Sequence, residues 1–219
     1  MRAFKGAVFD MDGLLLDSER IWERAQITVF REMDLELTLE MQRATTGIRM
    51  AECIGLWREF FPGAEIDPGR VRRRLLELVG DEVRTAGIIK PGAVRSLELC
   101  AAAGCRLGLA SSSPAEIIAA GLERLGAGRL FQAVVSSESE DHGKPHPAVY
   151  LTAARLIGVA PEMCIAFEDS VPGVRSAKSA GMYVVAVPEE HNRGRLEYRV
   201  ADRVISSLES LREGDLAGW

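Results

Sequence analysis

Two aspartates, two positions apart, end an apolar run near the start of the chain. Asp10 and Asp12 follow the apolar residues 7–9 and precede Gly13. In the hydrolysis of a phosphate ester by a protein, one carboxylate can attack the phosphorus atom. A second carboxyl can protonate the leaving oxygen and later take a proton from water. The same residue types also suit an ordinary turn at the end of a strand. The choice between a site and a turn depends on whether the rest of the chain supplies partners for two carboxylates.

Polar residues also follow three later apolar runs. Ser111 ends the stretch "RLGLAS", Lys144 lies in "HGKP", and Glu168 and Asp169 end "CIAFED". Individually, these residues fit a helix cap, a solvent-exposed lysine and a turn. At the carboxyl ends of parallel strands they would converge with Asp10 on one crevice, where clustered carboxylates are destabilising unless a cation binds. Carboxylate oxygens suit Mg²⁺, and Lys144 with the Ser111 hydroxyl suits a bound phosphate.

Short, continuously apolar runs alternate with helical patterns over most of the chain. Such runs are typical of parallel strands that are covered on both faces. The segments between them, such as "PGAVRSLELCAAAG" and "HPAVYLTAARLIG", carry proline near the start and glycine at the end, as helices do. The pattern predicts a doubly wound, Rossmann-like α/β fold with a parallel sheet. The predicted strands are residues 6–10, 105–111, 132–137, 163–169, 182–187 and 202–205.

Residues 17–86 interrupt this alternation. The segment contains several helical patterns, among them "SERIWERAQITVFREM" and "PGRVRRRLLELVGDEV", and no clear strand. Helices inserted directly after the first strand would form a separate module over the mouth of the sheet. We therefore expect an α/β core domain made of residues 1–16 and 87–219 and an all-helical domain made of residues 17–86.

The composition predicts an ordinary soluble globular protein. Of the 219 residues, 47% are hydrophobic and 27% are charged, and the formal net charge of −5 argues against nucleic-acid binding. No apolar run reaches the roughly 18 residues that a transmembrane helix needs, so no membrane association is expected. The four cysteines have no C-x-x-C spacing, which favours free thiols and a cytoplasmic location. Because the sequence has no coiled-coil pattern or long apolar stripe, we expect a monomer.

Four motifs, in order and at predicted strand ends, resemble those of the haloacid dehalogenase-like phosphatase superfamily. "FDMDG" is similar to the first motif, "LASSS" to the second, "GKPHP" to the third and "FEDS" to the fourth. The resemblance covers essentially the whole chain. It implies that Asp10 is the nucleophile and Asp12 the general acid and base. It also implies that Ser111 and the backbone amide of Ser112 bind phosphate, and that Lys144 neutralises its charge.

The resemblance further implies a magnesium cofactor and a cap. Mg²⁺ would be held by Asp10, the backbone carbonyl of Asp12 and Asp169, with Glu168 binding directly or through water. Residues 17–86 look like the helical cap of the superfamily. Its dehalogenase and phosphonatase members lack an acid at the place of Asp12, so this residue favours a phosphate ester as the substrate.

Residues in the predicted cap would select the substrate, a small-molecule phosphate ester. The candidate contacts are Glu19, Trp22, Gly47 and Arg49. Trp22 also fits helix packing, because apolar residues follow it at helical spacing. Arg49 follows Gly47 in a predicted loop, where its guanidinium could reach an anionic or hydroxyl-rich ligand.

Stretches such as "DSERIWERA" and "GKPHPAVYLTAARLIGV" look most like bacterial phosphatases of the hexitol phosphatase and 2-deoxyglucose-6-phosphatase group. This resemblance implies hydrolysis of small phosphorylated sugars or sugar alcohols through an aspartyl-phosphate. The alternative is a mutase similar to β-phosphoglucomutase, which shares all four motifs. Mutases of that group carry a histidine where this chain has Trp22, and a cap arginine one position later than Arg49. A non-catalytic protein that binds sugar phosphates is a third hypothesis, but it would not need a proton carrier at Asp12.

Overall fold

The computed structural model describes residues 3–45 and 48–216, and within them it contains eight α-helices and eight β-strands. The helices are α1 (Glu19–Arg31), α2 (Leu39–Arg43), α3 (Met50–Phe60), α4 (Pro68–Ala86), α5 (Ala93–Ala102), α6 (Ala115–Leu125), α7 (Ala148–Ile157) and α8 (Val171–Ser179). The strands are β1 (Gly6–Phe9), β2 (Leu16–Asp17), β3 (Ile88–Ile89), β4 (Arg106–Ser111), β5 (Phe131–Ser136), β6 (Cys164–Glu168), β7 (Tyr183–Ala186) and β8 (Arg203–Val204).

Six of these strands form one parallel sheet in the order β5-β4-β1-β6-β7-β8. The chain moves from β1 outwards to β4 and β5, and then returns to β6 on the other side of β1. Ligands of open α/β sheets bind where the strand order reverses in this way, at the carboxyl ends of the strands. The predicted doubly wound α/β fold is confirmed, and β1 places Asp10 at the centre of this crevice.

Both faces of the sheet are covered by helices. The side chain of Phe9 belongs to one apolar cluster and stacks on Phe167 of the neighbouring strand, with ring centroids 4.6 Å apart. Val8, one residue earlier, points to the opposite face and packs in a second cluster with Tyr150 and Ala153 of α7. Because successive strand residues face opposite sides, a strand with two buried faces must be apolar throughout.

The helices α1–α4 lie between β2 and β3, two short strands that pair antiparallel and join the two ends of this segment. Helix α4 buries a stripe at helical spacing and packs against α1 and α6. The sequence did not indicate β2, β3 or α2, because elements of two to five residues are too short to show a period. The boundaries of the cap domain stay a prediction.

Two further expectations concern burial and membranes. All four cysteines are free, as the lack of C-x-x-C spacing predicted, and all four are buried. Within the described part of the chain, no helix combines the length and the apolar character that crossing a membrane requires.

Candidate active site

Lys144 and Asp10 form the centre of the site at the carboxyl end of β1. The Lys144 ammonium donates to Asp10 Oδ1 at 2.6 Å, to Glu168 Oε1 at 2.6 Å and to the backbone carbonyl of Ala110 at 3.1 Å. Asp10, Lys144 and Glu168 are each at most 5% exposed. The sheet topology thus brings together charged groups that lie far apart in the sequence.

Negative charge exceeds positive charge at this centre. Burial raises the pKa of Asp10 to about 8, since nearby Glu168 and Asp12 add to the burial effect and outweigh the attraction of Lys144. Burial, together with Glu168 and Asp10, holds the pKa of Asp169 well above its usual range. Burial alone would lower the pKa of Lys144, but Asp10 and Glu168 raise it, so the ammonium stays charged. A divalent cation would supply the missing positive charge.

The carboxylates are close enough to hold such a cation. Asp10, Glu168 and Asp169 each bring one oxygen within 4.8 Å of the others. Gly13 leaves the space for Asp169, because a Cβ at Gly13 would lie only 2.2 Å from Asp169 Oδ2. Gly13 also has a φ of 81°, which favours glycine. This oxygen-only donor set fits a hard divalent cation, whereas a ligand role for the Asp12 carbonyl stays a prediction.

Asp12 lies beside this centre and accepts three hydrogen bonds from hydroxyl groups. Ser18 donates to Oδ1 at 2.6 Å, while Ser113 at 2.7 Å and Ser111 at 3.3 Å donate to Oδ2. Ser18 is the residue before α1, but its hydroxyl bonds Asp12 and does not cap the helix. These contacts fix the orientation of the Asp12 carboxyl toward the cavity that it lines.

The predicted phosphate-binding residues follow β4. Ser111 is fully buried, donates to Asp12 and accepts a hydrogen bond from the Ser113 amide at 3.0 Å. Ser112 and Ser113 line the cavity together with Asp10, Asp12 and Lys144. Phosphate binding by Ser111 and Ser112 stays a prediction.

A cavity of about 400 Å³ extends from these residues to the inserted helices. Glu19 and Trp22 of α1 line it, as do Gln42 and Trp57 from the other inserted helices. Burial raises the pKa of Glu19, and the charge of Glu189 adds to this effect. The cavity is therefore bounded by strand ends on one side and by helices on the other, and the roles of Glu19 and Trp22 in substrate binding stay predictions.

Arg49, a third predicted cap contact, does not line this cavity. Arg49 donates to Glu52 Oε1 from Nε at 2.9 Å and from Nη2 at 2.5 Å, and its Nη1 donates to the Glu140 carbonyl at 2.9 Å. The side chain also packs against Gly143, where a Cβ would lie 2.7 Å from Arg49 Nε. Arg49 thus connects the segment before α3 to the loop that precedes Lys144, while Gly47 lies outside the described residues.

Several residues at the site were not found from the sequence. Ser18 and Ser113 belong to this group, as does Tyr150, whose hydroxyl donates to Glu168 Oε1 at 2.9 Å. Another cavity wall comes from the segment after β7, including Arg195 and Tyr198. The one usable signal was the polar hydroxyl of Tyr150 within the apolar stripe of α7, since a buried Tyr hydroxyl needs a partner.

Comparison with known proteins agrees with this geometry. Residues 4–181 match the haloacid dehalogenase-like hydrolase family. The chain belongs to this family. It is 34% identical to hexitol phosphatase B of Escherichia coli (strain K12) over 218 residues, which cover 99% of this chain and 98% of that protein. The family member described here is a phosphatase, a phosphoric monoester hydrolase, and its acidic cluster is consistent with the divalent metal that such hydrolases generally use.

More distant relatives extend over the same length. The chain is 28% identical to validoxylamine A 7'-phosphate phosphatase of Streptomyces hygroscopicus subsp. limoneus, with 95% of this chain and 96% of that protein covered. Among solved structures, β-phosphoglucomutase from Clostridium difficile has a TM-score of 0.83 at 22% identity, covering 95% of this chain and 93% of that one. CbbY from Rhodobacter sphaeroides in complex with xylulose-(1,5)bisphosphate has a TM-score of 0.85 at 24% identity, covering 95% and 96%. These two structures share the fold.

Proposed function

We propose that the protein is a Mg²⁺-dependent phosphatase that hydrolyses small phosphorylated sugars or sugar alcohols through an aspartyl-phosphate. The observation that carries the proposal is the contact between Lys144 Nζ and Asp10 Oδ1 at 2.6 Å, beside a second carboxyl at Asp12 that faces the cavity. The identity to hexitol phosphatase B over nearly the full length of both proteins supports the substrate class.

In the first step, a carboxylate oxygen of Asp10 attacks the phosphorus of the ester. The bond between phosphorus and the sugar oxygen breaks, and Asp12 in its acid form gives its proton to that oxygen. The hydroxyls of Ser18 and Ser113 keep the Asp12 carboxyl in place during this transfer. Lys144 binds a phosphoryl oxygen and compensates its charge.

In the second step, Asp12 takes a proton from a water molecule that attacks the phosphorus. The bond between phosphorus and Asp10 breaks, which releases inorganic phosphate and restores both carboxyls. Asp10, Asp169 and Glu168 would hold Mg²⁺, with the Asp12 carbonyl as a further ligand. The bound ion would supply positive charge to the phosphoryl oxygens.

The cavity supports a substrate of sugar size. Its volume of about 400 Å³ exceeds what phosphate alone would fill, and the polar side chains of Glu19, Gln26 and Gln42 line it beside the ring of Trp22. Hydroxyl groups of a polyol can pair with these side chains, and an apolar ring face suits the carbon skeleton. We propose Glu19 and Trp22 as substrate contacts on this basis.

The test is phosphate release from a panel of esters with and without Mg²⁺. The panel contains 2-deoxyglucose 6-phosphate, sorbitol 6-phosphate, mannitol 6-phosphate and β-glucose 1-phosphate, and Asp10→Asn is the blank. We expect Mg²⁺-dependent release from the 6-phosphates that the substitution abolishes. Conversion of β-glucose 1-phosphate to the 6-phosphate without release would instead identify a mutase, and binding without any turnover would identify a non-catalytic protein.

A further inference from the structure

The position of the Lys144 ammonium depends on the groups around it, because the Lys144 backbone is not part of a helix or strand. Lys144 lies in the loop between β5 and α7, whereas Asp10 directly follows a central strand. A lysine also has a long, flexible side chain that can adopt many conformations. Its position between Asp10 and Glu168 therefore depends on what fixes these partners and what limits the motion of Nζ.

Tyr150 contacts both Lys144 and its partner Glu168. This residue of α7 has no solvent-exposed surface. Its hydroxyl donates to Glu168 Oε1 at 2.9 Å, the same oxygen that accepts from Lys144 at 2.6 Å. The Lys144 Nζ also lies 5.1 Å from the centroid of the Tyr150 ring, within the range of a cation–π contact.

The other oxygen of Glu168 is fixed separately. Glu168 Oε2 accepts from the backbone amide of Ser170 at 3.0 Å and from its hydroxyl at 3.1 Å. Gly173 packs so closely that a Cβ there would lie 1.7 Å from Glu168 Oε1. Glu168 Oε1 thus accepts from the charged Lys144 and from the neutral Tyr150 hydroxyl. The Tyr150 hydroxyl keeps Glu168 Oε1 in place when Lys144 turns toward a phosphoryl group.

We propose that Tyr150 is a positioning residue for Lys144, acting through Glu168 and through its own ring. The inference rests on the proposed function, because it assigns Lys144 to the phosphoryl oxygens. Tyr150 does not touch the substrate in this account, and it is absent from the residues that line the cavity. The hydroxyl of Tyr150 positions Glu168, and its ring limits the motion of Lys144. A substitution by phenylalanine removes the first contact and keeps the second.

The test compares Tyr150→Phe with Tyr183→Phe. The first variant keeps the ring and removes the hydroxyl on Glu168. The control removes a hydroxyl from a half-buried tyrosine on β7 whose ring packs against Phe4. We expect kcat of Tyr150→Phe to fall about tenfold, as loss of a hydrogen bond to a charged group allows, with KM changed less than about twofold. Tyr183→Phe should match the wild type.

A second readout does not require turnover. The chain has four lysines, and limited reductive methylation followed by peptide mass spectrometry reports the accessibility of each one. In Tyr150→Phe we expect methylation of Lys144 to rise about threefold or more, while Lys5, Lys90 and Lys178 stay at wild-type rates. Because Lys5 is exposed and Lys90 and Lys178 are half-buried, general loosening of the fold is read from hydrogen exchange of the core strands, which it would speed up as a group.

The two readouts separate the possible failures. Wild-type-like kcat in Tyr150→Phe would overturn the positioning role, and so would a lower kcat with unchanged methylation of Lys144. Faster hydrogen exchange throughout the core strands of Tyr150→Phe would also overturn it, because Tyr150 would then only fill the core. If the wild type hydrolyses no ester, the proposed function fails, and the methylation of Lys144 alone decides whether Tyr150 holds it.

Discussion

The strand ends and the inserted helices position their polar side chains in different ways. Asp10 and Glu168 lie at the ends of neighbouring parallel strands, and Lys144, 134 positions after Asp10, donates to both at 2.6 Å. Arg49 lies in the inserted segment, and its guanidinium binds Glu52 and the Glu140 carbonyl, away from the cavity. Sheet register fixes where a strand-end residue points, whereas a residue in a loop between helices has several partners within reach.

The largest effect on the strand-end side is expected from Asp12→Asn. The amide keeps an oxygen that can accept from Ser18 or Ser113, but it cannot carry the proton, so kcat should fall about 10³-fold. Steady-state phosphate release measures the loss. Asp34→Asn is the control, because Asp34 is exposed at a φ of 57°, which asparagine tolerates. A variant Asp12→Asn that keeps more than about a tenth of the wild-type kcat would contradict the assigned proton transfer.

Two helical glycines provide the next contrast between the regions. A Cβ at Gly173 of α8 would overlap Glu168, which is held by four hydrogen bonds, whereas a Cβ at Gly55 of α3 meets nothing within 4 Å. Gly173→Ala should lower the free energy of unfolding by about 2 kcal/mol and reduce kcat about tenfold or more.

The matched substitution in the inserted helices should act in the opposite direction. Gly55→Ala should stabilise the protein by up to about 1 kcal/mol, because alanine is the better helix former, and leave kcat unchanged. Chemical denaturation and turnover assays check both variants. Equal effects of the two substitutions would show that the close packing of Gly173 on Glu168 affects neither the free energy of unfolding nor kcat.

The residues at the strand ends could be predicted from the sequence for a physical reason. A continuously apolar strand has both faces buried, and its first polar residue must lie at an end of the sheet. The apolar runs alone therefore predict that Asp10, Ser111 and Asp169 lie at one crevice. The continuous apolar runs indicated all six parallel strands, and the helical patterns indicated α1, α4, α5 and α7.

The side-chain contacts between different helices, strands and loops could not be predicted from the sequence. Ser18 and Ser113 both bond Asp12, but a serine beside a helix start is equally typical of a cap. Tyr150 sits in the apolar stripe of α7, and only the three-dimensional arrangement shows which carboxylate its hydroxyl meets. Arg49 was predicted as a substrate contact only because it lies in a loop, and a loop position does not determine where a long side chain points.

Metal removal tests the electrostatics of the strand-end site. The pKa of Asp10 is raised from 3.8 to about 8 in the folded protein, so the folded state binds more protons than the unfolded state between these values. The stability that this group contributes is therefore lost as the pH rises through that window. In EDTA, the unfolding temperature should fall between pH 6 and pH 8.5.

Mg²⁺ should reverse this loss, since it binds the ionised carboxylates. We expect a shift of several degrees on adding Mg²⁺ at pH 8.5 and a smaller shift at pH 6, measured by differential scanning fluorimetry. The Asp10→Asn variant serves as the control and should show a reduced difference. A Mg²⁺ shift that is larger at pH 6 would contradict the described charge balance.

The smallest effect is expected on the side of the inserted helices, from Arg49→Lys. Lysine keeps the charge but loses the fork that binds Glu52 and the Glu140 carbonyl together, so the free energy of unfolding should fall by about 1 kcal/mol. The ratio kcat/KM should stay within about threefold of the wild type. Arg74→Lys, at an exposed ion pair, is the control. A rise of KM by about tenfold would mean that Arg49 binds substrate during turnover.

Formation of a phosphoryl group on Asp10 is the decisive step of the proposed reaction, and it can be trapped. Enzyme, Mg²⁺ and sorbitol 6-phosphate are mixed, quenched in acid and reduced with borohydride, which converts an aspartyl-phosphate to homoserine. Peptide mass spectrometry should find homoserine at Asp10, and only when both the ester and Mg²⁺ were present. Turnover of the ester with Asp10 unmodified, or with another residue carrying the label, would contradict the account.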